Sequence, residues 1–63
     1  MRESDWVLTA AISSLGYEPT QSFADAVAVA KDLYQVWPSM DPHDAVRCYF
    51  EPEAHVLESI VFA

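Results

Sequence analysis

Few residues in this chain could do chemistry. One cysteine, Cys48, and two histidines, His43 and His55, supply every thiol and imidazole. Cys48 with His55 is the one pairing that could serve as nucleophile and base. A reactive thiol needs positive charge close by to lower its pKa. The acids Glu51, Glu53 and Glu58 follow it in the sequence and oppose a thiolate. A small buried cysteine beside a loop-edge histidine accounts for the pair equally well. His43, Cys48 and His55, with Asp41 or Asp44 as a fourth ligand, could be drawn around a metal. Their spacing holds neither a C-x-x-C pair nor an H-x3-H pair. Asp41 and Asp44 resemble pieces of a calcium loop, but its glycine and closing glutamate are missing. With Gly16 the only glycine, no phosphate-cradling loop is expected. The expectation is a protein that is not an enzyme and binds neither metal nor cofactor.

Charge is the stronger signal. Ten acids face three bases, a net charge of −7. Arg2, Lys31 and Arg47 are isolated from one another, so the basic stripe of a nucleic-acid binder is absent. An anionic membrane is disfavoured for the same reason. A basic protein surface is the natural partner. Asp25 and Asp32 fall two turns apart on one helix face, about 10.5 Å along the axis. Asp41, Asp44, Glu51, Glu53 and Glu58 follow in the C-terminal half, opposed there only by Arg47. These seven acids are the candidate partner-binding residues. Fixed negative charges can occupy the Lys and Arg contacts that otherwise hold nucleic-acid phosphates, and such contacts dominate nucleic-acid affinity. The competing account is a solvated surface that keeps a hydrophobic small protein soluble. Trp37, Tyr34 and Tyr49 could be interface anchors or core. Trp6, near the chain end, is expected to lean towards exposure.

These side chains need elements to place them. Sixty-three residues make a single compact domain, 1–63, of marginal stability. A lone cysteine excludes an internal disulfide and suits a reducing cytosol. The longest apolar run, Ala26 to Ala30, is far short of a membrane span. The acidic start is unlike a signal peptide, so an intracellular, complete chain is expected. A first helix should run from Ser4, as N-cap, to about Leu15, with Leu8, Ala11, Ile12 and Leu15 as its core face. Gly16 falls where a left-handed C-cap is wanted. Thr20 or Ser22 should cap a second helix reaching Val36 or Trp37. Phe23, Val27, Ala30, Tyr34 and Trp37 form one stripe of it, and Ala26, Val29, Leu33 and Val36 a second. So wide an apolar arc suggests burial on two sides, by the domain and by a partner or second copy. A turn-rich loop follows from Ser39 to Asp44, with one helical turn starting at Asp41-Pro42.

Val46–Phe50 and Val56–Phe62 are rich in β-branched and aromatic residues. Glu51–Ala54 between them reads as a hairpin loop, with Arg47 facing Glu58 across the strands. The expected fold is α+β, two helices packed on a C-terminal β-hairpin. The alternative is an all-α bundle of three or four helices, since Pro52-Glu53-Ala54 is also a good helix start.

In size, acidity, compactness and aromatic content the chain resembles the small acidic inhibitors encoded by bacteriophages, above all anti-CRISPR proteins that mimic DNA. That resemblance implies a non-enzymatic inhibitor in the cytoplasm of a bacterial host cell. It would bind the basic surface of a nucleic-acid-binding protein, such as a CRISPR effector, by negative-charge mimicry. The second reading is an apolar interaction module or antitoxin-like homodimer that uses the wide arc of the second helix.

Overall fold

A computed structural model of the chain describes residues 1–51. They form three helices, α1 (Glu3–Tyr17), α2 (Phe23–Val36) and α3 (Pro42–Phe50). Among the described residues there is no strand.

Each helix starts where local chemistry says it should, with one exception. Ser22 caps α2, its hydroxyl accepting from the Asp25 N–H at 3.1 Å. Asp41 caps α3, its carboxylate accepting from the His43 N–H at 2.9 Å, and Pro42 takes the first helical position, where a missing N–H costs nothing. The exception is α1. Arg2, not Ser4, stands at its N-cap, and no side chain caps it. Glu3 and Asp5 in the first turn favour that end through the helix dipole instead. Gly16 is not a left-handed cap, because no residue of the described chain has positive φ. The helix continues through it to Tyr17, and Glu18, ahead of Pro19, ends it with an N–H bond to the Ser14 carbonyl at 2.9 Å.

α3 overturns the expected hairpin. Val46–Phe50 is helical, so the first strand does not exist, and the described residues are all-α in place of the expected α+β arrangement. The second predicted strand, residues 56–62, lies outside the described residues, as does Glu58 of the expected Arg47–Glu58 pair. Two effects decide for helix at 46–50. The Asp41-Pro42 start contributes ~1 kcal/mol as a cap, which offsets part of the up to ~0.7 kcal/mol that Val46, Tyr49 and Phe50 each cost in helix propensity. The apolar residues also follow a helical line. Pro42 and Val46 are buried and Phe50, one turn on, is half-buried against the core, the i, i+4, i+8 spacing of a helix stripe.

α1 is the central helix. It packs against both α2 and α3, which touch each other least. Its inner face is Trp6, Val7, Ala10, Ala11 and Ser14, met by Ala26, Ala30 and Leu33 of α2 and by Ala45 and Val46 of α3. Five of these are alanines without any exposure, so the helix backbones approach closely and little side-chain volume lies between them. Trp6 is the large member. Contrary to expectation it is only 3% exposed. Its ring meets Tyr34 edge-on at 5.3 Å, and its indole N–H donates to the Met40 carbonyl at 2.7 Å. Trp6 thus ties the start of α1 to α2 and to the loop before α3. At the other end of α1, Gln21 donates its amide to the hydroxyl and carbonyl of buried Ser14, at 2.7 and 3.2 Å, satisfying a polar group that would otherwise be costly. Tyr17 stacks on Phe50, with rings 5.0 Å apart and nearly parallel, and donates its hydroxyl to the Glu51 carboxylate. That pair joins the ends of α1 and α3.

Candidate binding surface

All eight acids of the described chain are exposed, so their charge faces solvent. Position by position, however, most of them serve the helices. Asp41 is the N-cap of α3 and Asp44 lies in its first turn. Asp25 occupies the first turn of α2, its N–H held by Ser22. Glu3 and Asp5 stand in the first turn of α1. Glu18 accepts from the Thr20 hydroxyl at 2.6 Å. Glu51 accepts from Tyr17. Asp32, in the middle of α2, is the acid that none of these local duties explains.

Of the seven candidate acids, Asp25 and Asp32 share one exposed line of α2, as expected. Asp41 and Asp44 are close together at the start of α3. Glu51 caps its far end, about 13 Å away along the helix axis. Asp41 and Asp44 therefore stand at one end of α3 and Glu51 at the other. Glu53 and Glu58 lie outside the described residues.

Charge density also limits what this surface can imitate. The described residues span 37 Å in their greatest dimension. Duplex DNA of that length carries roughly 20 phosphates, at one charge per ~1.7 Å, against eight acids among those residues. The acids match single phosphate contacts, not the continuous charge of a duplex.

The Tyr17 hydroxyl has its pKa raised above the ordinary value. Its hydrogen bond to Glu51, partial burial and the negative charge of Glu51 all raise it, and Arg47 pulls the other way. Tyr17 is therefore a neutral donor to a carboxylate at any physiological pH, which suits a structural clasp and not acid–base chemistry.

Among the described residues, His43 and Cys48 stand five positions apart on α3, on different sides of the helix. Cys48 is half-buried on α3 and His43 is exposed at its first turn, while His55 lies outside the described residues. No group of three or more His, Cys, Asp or Glu among the described residues could hold a metal ion. None of the helices described is long and apolar enough to cross a membrane.

The surface that sequence reasoning missed is apolar. Leu8 and Ile12, expected in the core, are 47% and 63% exposed. They lie on the side of α1 opposite Trp6, Val7, Ala10, Ala11 and Ser14, with Asp5 before them and Gly16 after on the same line. Leu15 flanks this line and is partly buried against the core. α1 is thus apolar on nearly every side, a pattern usually found in helices buried all round. On α2 the buried line is Ala26, Ala30 and Leu33, which runs between the two expected stripes. Val27, Val29, Tyr34 and Trp37 flank it half-buried, and Phe23 and Val36 are exposed.

Comparison of the chain with protein-family models, with curated proteins and with solved structures gives no match.

Proposed function

We propose that this protein is a non-enzymatic binder that occupies a basic, nucleic-acid-binding surface of a partner protein and so excludes the nucleic acid. The observation that carries the reading is the exposure of every described acid in a chain of net charge −7. Acids that begin helices still present their charge to solvent, and fixed charges on a helical frame steer a basic partner and compete for its phosphate contacts. The low charge density argues for blocking a limited set of those contacts, not for replacing a whole duplex. A CRISPR effector is the kind of complex this fits, on the likeness of the chain to small acidic phage inhibitors.

The test is competition. The protein is added to purified CRISPR effector complexes of different types, and target-DNA binding is followed by mobility shift at several salt concentrations. The reading expects stoichiometric inhibition that weakens steeply with salt. The variant must remove charge without removing caps, so Asp25, Asp32, Asp41 and Asp44 are changed to Asn, which caps as well as Asp. Inhibition should fall at least tenfold while helicity is kept. Inhibition unaffected by these four changes, or by salt, would rule out the electrostatic account. No inhibition of any effector would remove the CRISPR assignment.

A further inference from the structure

We draw no further inference here: the strongest candidate, the exposed apolar side of α1 at Leu8 and Ile12, carries nothing because nothing in the structure shows what covers it.

Discussion

The two sides of α1 both carry apolar residues and differ in what they do with them. The inner side holds Trp6, Val7, Ala10, Ala11 and Ser14, all buried; the outer side holds Leu8 and Ile12, both exposed. Size does not separate them, since the outer pair is larger than four of the five inner residues. What separates them is that α1 must meet two helices at once, on the same arc. Alanine and serine let both neighbours approach, and one tryptophan fills the open end of the wedge. The bulky aliphatic pair lies on the side that neither α2 nor α3 covers.

The sharpest way to break this comparison is at Trp6. Replacing it with Ala removes the ring packed on Tyr34 and the N–H bond to the Met40 carbonyl. The expected loss is about 3–5 kcal/mol, enough to unfold much of a marginal domain; urea denaturation followed by circular dichroism measures it. A loss under ~1 kcal/mol would mean that the inner side is not the core.

A smaller effect is expected at Asp41. Asp41→Ala should cost about 1 kcal/mol by removing the α3 cap, and Asp41→Asn almost nothing. Equal costs for both would show that the charge, not the cap, stabilises α3. On the outer side the sign reverses. Gly16→Ala should stabilise the isolated protein by about 0.5–1 kcal/mol, because the added methyl meets open space. A destabilised Gly16→Ala would place a contact on that side within the folded chain.

The smallest effect concerns pH. The hydroxyl of Tyr17 has its pKa raised above the ordinary 10.0, first by its bond to Glu51. A raised pKa favours the protonated form in the folded state. The contribution is therefore complete below the unfolded pKa and is lost as pH climbs through the folded one. Thermal melts between neutral pH and pH 11 should show Tyr17→Phe losing its difference from wild type only above about pH 10. A difference that vanished near neutral pH would contradict the clasp.

Much of this fold is legible in the sequence, and the failures have physical causes. The α2 start at Ser22 and its stop before Pro38 follow from capping and proline chemistry, and both are where the structure has them. The Asp41-Pro42 start was equally legible, yet Val46–Phe50 suggested a strand because β-branched and aromatic residues fit pleated surfaces. Propensity lost there to a cap and to the packing of Ala45 and Val46 on α1. On α1 the larger residues suggested the core face, and helix proximity reversed the choice. For the candidate surface, the sign and number of the charges were legible. Their grouping was not, because acids that start helices are placed by helix geometry, at the two ends of α3 and along α2. The exposed pair Leu8 and Ile12 left one signal in the sequence. α1 has apolar residues on two faces, just as α2 does, and only α2 was read that way.

The measurement that bears most directly on the account is the unfolding free energy of the full-length Leu8→Gln/Ile12→Gln protein beside wild type. Glutamine is as good a helix former as leucine and better than isoleucine, so helix propensity cannot mask the result. An outer side exposed in the folded protein predicts an unfolding free energy within about 0.5 kcal/mol of wild type, as for other exposed substitutions. A loss of about 2 kcal/mol or more would mean that Leu8 and Ile12 are buried in the folded protein, and the division of α1 into a buried side and an exposed side would be wrong.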